Sequence, residues 1–372
     1  MADNKVKQVL IVGAGSIGRV YGYHLFKGGA KVHYYVREHH KQNLTNYPLR
    51  MHELTSSMRW FNKSTTKKFS EYTVTTDTEV ASGNAPNLPD HLDYAIFAVP
   101  AYLLGQGDWL KTLVNFLNNK YSNQVYYNSP VPDETCMQRF MDLGVDKTKL
   151  ISGQIGCNSF FAPLVNQKFD PRGVENAKKE DQEDNPNKVV IYNKSAAESF
   201  GELSKEAKEA TDALVSILNK GGLKSKNVGG NTEYGYFCTA ATPIFMGLTM
   251  HNWKLAQTAS DYKNMSLVHA SVCEVIKVIK KKTNNKCGFA VKSLAYLPTF
   301  MLVILYYINY LNSAYLCSYD IEAFGNAHFN TKLGGQTDHL IELITHEAQQ
   351  YSVDITHFKK LIEDYKLSQK KI

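Results

Sequence analysis

The chain has 372 residues, 43% of them hydrophobic and 12% aromatic, which is ample apolar surface for a sizeable core. Disorder, collagen-like repeats and a disulfide-stapled mini-domain are excluded by that composition. Forty-two Lys and Arg against 35 Asp and Glu leave a net charge of +7, scattered over many segments apart from a short run at 280–282. Such a field suits a small anionic molecule and falls short of a nucleic-acid footprint.

Six cysteines, Cys136, Cys157, Cys238, Cys273, Cys287 and Cys317, lie far apart with no CxxC and no Cys/His cluster. Neither a zinc site nor a disulfide framework is expected, and no metal is called for. The first seven residues are polar and lack the basic-apolar-small pattern of a signal peptide, so a reducing, cytoplasmic setting is the expectation. The sequons at Asn43, Asn62, Asn193 and Asn264 then read as chance matches.

Residues 8–12 (QVLIV) form an apolar run that breaks into Gly13-Ala14-Gly15-Ser16-Ile17-Gly18. Helical spacing follows through Phe26, and residues 31–36 (KVHYYV) read as a second strand. Further strands are predicted at 72–75, 94–99, 124–127 and 150–155, with helices at 107–118 and 135–143. The charged stretch 174–187 (VENAKKEDQEDNPN) reads as a solvated loop, 188–192 (KVVIY) as a return to the sheet, and 193–220 as one more helix. From about Tyr234 onward only helices are predicted, over 234–250, 266–282, 338–350 and 357–367. Residues 294–311 (LAYLPTFMLVILYYINYL) carry no charge over the minimum length of a bilayer span. Pro298, Asn309 and the many tyrosines favour a helix buried among other helices over a membrane contact. The expected architecture is α/β: a Rossmann-type parallel sheet over residues 1–225, then an all-helical domain over 226–372.

Gly13-x-Gly15-x-x-Gly18 follows a strand and opens a helix, the context in which this pattern binds a dinucleotide. The first glycine allows the tight turn, the second admits the pyrophosphate to the backbone, and the third lets helix pack on strand, with the helix N-terminus facing the phosphates. Cofactor choice falls to the end of the second strand, Val36-Arg37-Glu38-His39-His40-Lys41. The cations favour a 2′-phosphate and hence NADP(H), while Glu38, if it points inward, is a ribose acceptor favouring NAD(H).

These residues resemble the ketopantoate reductase family, NADPH-dependent reductases of a 2-oxo acid. That family joins a Rossmann domain to a helical domain of the 6-phosphogluconate dehydrogenase C-terminal type. The likeness is most specific in residues 9–37 (VLIVGAGSIGRVYGYHLFKGGAKVHYYVR), recurs at 93–99 (DYAIFAV) and 124–134 (QVYYNSPVPDE), and weakens at 273–275 and 337–355. The resemblance implies cofactor contacts at residues 13–18, Arg37, Val99 and Asn128, with Asn128 also near the substrate. On its own terms Asn128, before Ser129-Pro130, can equally start a turn.

Several positions depart from the family pattern. Tyr234 stands where the family's proton-donating lysine is expected, and the only Trp-Lys-Leu, Trp253-Lys254-Leu255, comes about twenty residues late. The general acid is therefore Lys254, Tyr234 or absent. Gln336 replaces a substrate-holding glutamate while Asp338 is retained, and Pro100 replaces a lysine. The resemblance implies an NADP(H)-dependent oxidoreductase acting on a small anionic carbonyl substrate and is compatible with a homodimer. The alternative is a dinucleotide-binding sensor or scaffold without turnover.

Overall fold

A computed structural model of the chain describes residues 5–62, 64–130, 134–230, 233–332 and 334–370. The chain forms two compact units. Unit 1 comprises Met1–Ser57, Phe61–Ala162 and Asp170–Thr232, and unit 2 comprises Met58–Trp60, Pro163–Phe169 and Glu233–Ile372.

Unit 1 opens with β1 (Gln8–Val12), α1 (Ser16–Lys27), β2 (Lys31–Val36), α2 (Lys41–Asn46), β3 (Leu49–Leu54), β4 (Thr66–Phe69) and β5 (Tyr72–Thr76). It continues through α3 (Asp77–Ala81), β6 (Tyr94–Phe97), α4 (Trp109–Lys120), β7 (Tyr126–Ser129), α5 (Glu134–Asp142) and β8 (Leu150–Gln154). It ends with β9 (Asn158–Phe161), α6 (Val174–Asp181), β10 (Val190–Asn193), β11 (Glu198–Glu202), α7 (Lys208–Lys220) and β12 (Ser225–Asn227). The main sheet has strand order β12-β11-β8-β7-β6-β1-β2-β5. It is parallel from β5 through β8, after which β11 runs antiparallel to β8.

Strand β1 is central and wholly buried, which is why it reads as an unbroken apolar run. Its side chains still alternate: Val9 and Ile11 join Val20, Leu25, Leu214 and Leu218 on one face, and Leu10 and Val12 join Leu113, Leu117 and Phe140 on the other. Each such aliphatic side chain contributes roughly 1.5–3 kcal/mol on burial. Together they fix the C-terminal end of β1, from which the glycine turn departs.

Three expectations for residues 174–220 are corrected. Strand β10 joins a second sheet, ordered β4-β3-β10-β9, in which Val190 lies opposite Met51 and Phe161. The stretch expected as a solvated loop instead contains α6 and is gathered by two buried arginines. Arg172 pairs with Asp170, Glu180 and Asp181. Arg50 donates to the carbonyls of Glu180 and Asn187. The helix expected over 193–220 begins only at Lys208, because Glu198–Glu202 is drawn into the sheet by its buried Phe200.

Unit 2 contains α8 (Glu233–Met250), α9 (Leu255–Ser260), α10 (Tyr262–Lys282), α11 (Phe289–Leu294), α12 (Thr299–Leu311), α13 (Ile321–Gly325), α14 (Gly334–Gln350) and α15 (Thr356–Gln369). Its core sets Val268, Val272, Val275 and Ile279 of α10 against Ile344 of α14 and Phe358 and Leu361 of α15. A second cluster holds Trp253, Met265, Leu302 and Tyr306. The apolar segment 294–311 is not the buried helix expected. It breaks at Pro298, and α12 buries only Leu302 and Tyr306, leaving Phe300, Ile304, Ile308 and Leu311 about half exposed. Among the described residues no helix is long and apolar enough to cross a membrane.

Candidate dinucleotide site

The turn after β1 takes its shape from three glycines. Gly13 has φ +96°, a region that favours glycine, and a Cβ there would stand 2.8 Å from Val99 Cγ1. A Cβ on Gly18 would come within 2.0 Å of the Gly13 carbonyl oxygen, so only glycine lets α1 start this close to β1. Gly15 is different: it is extended, it caps α1, and a Cβ there would meet nothing within 4 Å. The turn is thus tight on its protein side and open on its outer side. Helix α1 carries no acidic residue in its first turn, so its N-terminal partial charge is free to act on an anion.

That open side faces a cavity of about 750 Å³ lying wholly within unit 1. Val12, Gly13, Ala14 and Gly15 form its floor, Val99, Leu103 and Trp109 an apolar side, and Arg37, His40 and Asp77 the edge nearest β2. Phe161, Asn187 and Lys188, brought by β9 and the approach to β10, complete the wall. Three of the lining side chains, Arg19, Arg37 and Lys188, are basic, against one carboxylate, Asp77. Burial pushes the His40 imidazole below its usual range, and His39, Arg37 and Arg19 push it further the same way. The field in this cavity is positive.

Of the residues expected to hold a cofactor, Gly13, Ala14, Gly15, Arg37 and Val99 line the cavity. Ser16, Ile17 and Gly18 form the first turn of α1 directly after them. Glu38 does not point inward: its carboxylate accepts hydrogen bonds from the hydroxyls of Thr76 and Thr78, which hold its pKa down. Asn128 is fully buried in β7, where its amide donates to the Ile151 carbonyl across to β8 (2.9 Å). It braces two strands and is not among the cavity-lining residues. Its Oδ1 has no hydrogen-bond partner among the described residues.

The remaining candidates stand on three elements of unit 2. Tyr234 is the second residue of α8, and its side chain lies outside the described residues. Lys254 is exposed just before α9. Its neighbour Trp253 is the buried corner residue, stacked on Phe329 with ring centroids 4.6 Å apart. Gln336 and Asp338 lie in the first turns of α14. Desolvation raises the pKa of Asp338, partly offset by Lys366. Among the described residues no group of three His, Cys, Asp or Glu is arranged to hold a metal.

Sequence reasoning missed Arg19, Asp77, Phe161, Asn187 and Lys188 as lining residues. Arg19 had a local signal, standing one residue after the third glycine, whereas Phe161, Asn187 and Lys188 arrive through pairings with no local trace.

A parallel sheet with a glycine turn at the C-terminal end of β1, opening on a cationic cavity, is a Rossmann-type arrangement. Residues 9–116 match the sequence profile of the family described as ketopantoate reductase PanE/ApbA. No curated protein matches the chain in a sequence comparison. Among solved structures, D-mandelate dehydrogenase with NADH and anilino(oxo)acetate is similar at TM-score 0.63 and 13% identity, covering 98% of this chain and 99% of that one. A 2-dehydropantoate 2-reductase from Porphyromonas gingivalis W83 is similar at TM-score 0.59 and 13% identity, covering 97% and 99%. A ketopantoate reductase homologue from Ralstonia solanacearum MolK2 is similar at TM-score 0.62 and 11% identity, covering 99% of both. The resemblance read from residues 9–37 and 93–99 is borne out over residues 9–116, as is the order of a parallel-sheet domain followed by a helical one.

Proposed function

We propose that the protein is an NADP(H)-dependent oxidoreductase that reduces a small 2-oxo acid or related ketone. The observation that carries this reading is the glycine turn, closed on its protein side and open at Gly15 onto a cationic cavity. The donors there suit a dinucleotide: backbone N–H groups at the start of α1 for the diphosphate and cations around it. A bound reduced nicotinamide supplies the hydride, and the chain's part is orientation and stabilisation of developing charge on the substrate oxygen.

NADP(H) is favoured over NAD(H) because Arg37 stands at the cavity edge while Glu38 is committed to two threonines. In this reading residues 1–225 hold the nucleotide and 226–372 the substrate. Asn128 acts near the nicotinamide and substrate in this reading, as the resemblance implies, while its buried amide ties β7 to β8. Lys254 or Tyr234 supplies the proton, and Gln336 and Asp338 hold the polar groups of the substrate. The neighbouring D-mandelate dehydrogenase, crystallised with NADH and anilino(oxo)acetate, supports an oxo-carboxylate as the substrate class. None of the six cysteines, all among the described residues, forms a disulfide, which suits a reducing, cytoplasmic compartment.

A homodimer through α12 belongs to the same reading. The exposed side chains of Phe300, Met301, Ile304, Leu305, Ile308 and Leu311, with Tyr307 and Tyr315, form the apolar face that this dimer would bury. The test of the function is oxidation of NADPH in the presence of a panel of 2-oxo acids. Turnover with at least one of them is expected, and saturable NADPH binding without any turnover would overturn the enzymatic reading.

A further inference from the structure

Arg19 is a buried cation without a counter-ion. It is only 8% exposed, and its guanidinium is spent on neutral acceptors. Nε donates to the Ala14 carbonyl (2.9 Å), one nitrogen to the Lys188 carbonyl (3.2 Å) and the other to Asn187 Oδ1 (3.3 Å). Its carbon end lies 5.0 Å from the centre of the Phe161 ring. Among the described residues no carboxylate pairs with it, and Arg50, another cation, acts on it unfavourably. A buried guanidinium normally lies against an acid, because desolvating a full charge is expensive unless it is compensated. Here Asp170, Glu180 and Asp181 all go to Arg172.

The place of this unbalanced charge is informative. Through Nε it holds the residue directly before Gly15, the open position of the turn, and it lines the same cavity as Gly15, Arg37 and Lys188. Arg37 lies at the end of β2, whereas Arg19 is anchored at the turn itself. The two cations therefore address different parts of a ligand seated along the cavity.

We propose that Arg19 is the counter-charge for the diphosphate of the bound dinucleotide. The assignment rests on the dinucleotide reading above and adds to it a division of labour: Arg19 serves the diphosphate common to both coenzymes, and Arg37 the 2′-phosphate that separates them. The hydrogen bonds to Asn187 and Lys188 keep the guanidinium at the turn before ligand arrives, so little side-chain freedom is lost on binding.

The test measures NADPH and NADH affinity of full-length protein, as wild type, Arg19→Gln and Arg19→Lys, at two salt concentrations. Charge-assisted contacts of this kind are worth roughly tenfold to a hundredfold in affinity. Arg19→Gln is expected to weaken both coenzymes by the same factor, tenfold or more, and to flatten the salt dependence. Arg19→Lys, which keeps the charge and loses the fork, is expected to lose distinctly less. Equal losses in the two variants mean a purely structural strap, and a loss confined to NADPH makes Arg19 a 2′-phosphate residue; either result overturns the proposal. If the wild type binds neither coenzyme, the dinucleotide reading fails at its root, an outcome separate from a wild type that binds both and a Gln variant that binds equally well. Should Arg19→Gln not fold, the ¹⁵N resonance of Arg19 Nε in the wild type decides: it is expected to shift with ADP and stay put with adenosine, and no shift with ADP refutes the assignment.

Discussion

In unit 1 each position of the fingerprint has a physical task that can be read from its surroundings: Gly13 turns the chain, Gly18 lets the helix approach, and Gly15 leaves room. In unit 2 the positions that the resemblance makes chemical are altered or displaced, with Tyr234 in place of a lysine, Lys254 exposed and Gln336 in place of a glutamate. Backbone geometry dictates the first set, and few residues can satisfy it. Side-chain chemistry dictates the second set, and it can be exchanged as substrates change. Under the proposed function, the nucleotide end is therefore legible where the substrate end is not.

The comparison breaks most readily at the proton donor. Lys254→Ala and Tyr234→Phe are each expected to leave NADPH affinity within twofold, and the variant that removes the true donor is expected to lower kcat about a hundredfold or more. If neither lowers kcat, the acid lies elsewhere in the chain. The glycines come next. Gly18→Ala is expected to destabilise unit 1 by about 1–3 kcal/mol through the forced contact with Gly13 and to weaken NADPH as well. Gly15→Ala is expected to leave the melting temperature unchanged while weakening NADPH tenfold or more, a split that calorimetry and titration on one sample detect.

Arg37→Ala sharpens the account of cofactor choice: NADPH is expected to weaken about tenfold and NADH less than twofold, and equal losses contradict the assignment. In unit 2, Ile304→Lys with Ile308→Lys is expected to convert a dimer to a monomer in light scattering with the fold retained. A wild type that is already monomeric removes the dimer proposal.

A further effect is on pH. His24 is buried neutral between the Gly221 carbonyl and the Tyr192 hydroxyl, and His33 between Gln8 and Thr73, each with its pKa pushed down to about 4 by burial. Their unfolded values lie near 6.5, so the unfolded chain takes up protons first as pH falls. Stability of unit 1 is expected to be complete above pH about 6.5 and to decline toward pH 4, read as a falling melting temperature. His24→Gln is expected to reduce that slope.

The path from β1 through the glycine turn to β2 was legible because its signals are local: a period, a glycine spacing, a charge at a strand end. The cavity's far wall was not, because Phe161 and Lys188 reach it through β9 and β10, and β10 pairs with β3 from the other end of the unit. The stretch 174–187 resembles a solvated loop by composition, yet Arg50 and Arg172 gather its carbonyls and carboxylates. Helix α12 is apolar on every side, which periodicity cannot distinguish from burial, and only the fold reveals that one edge packs while the rest is exposed.

The central claim is that residues 13–18 cradle a nicotinamide dinucleotide, and calorimetric titration of the full chain with NADPH tests it most directly. One saturable site per chain with micromolar or tighter affinity, lost tenfold or more in Gly15→Ala without loss of fold, is the result expected. Absence of saturable heat at millimolar NADPH from a folded protein, or a Gly15→Ala variant that binds as the wild type does, contradicts it.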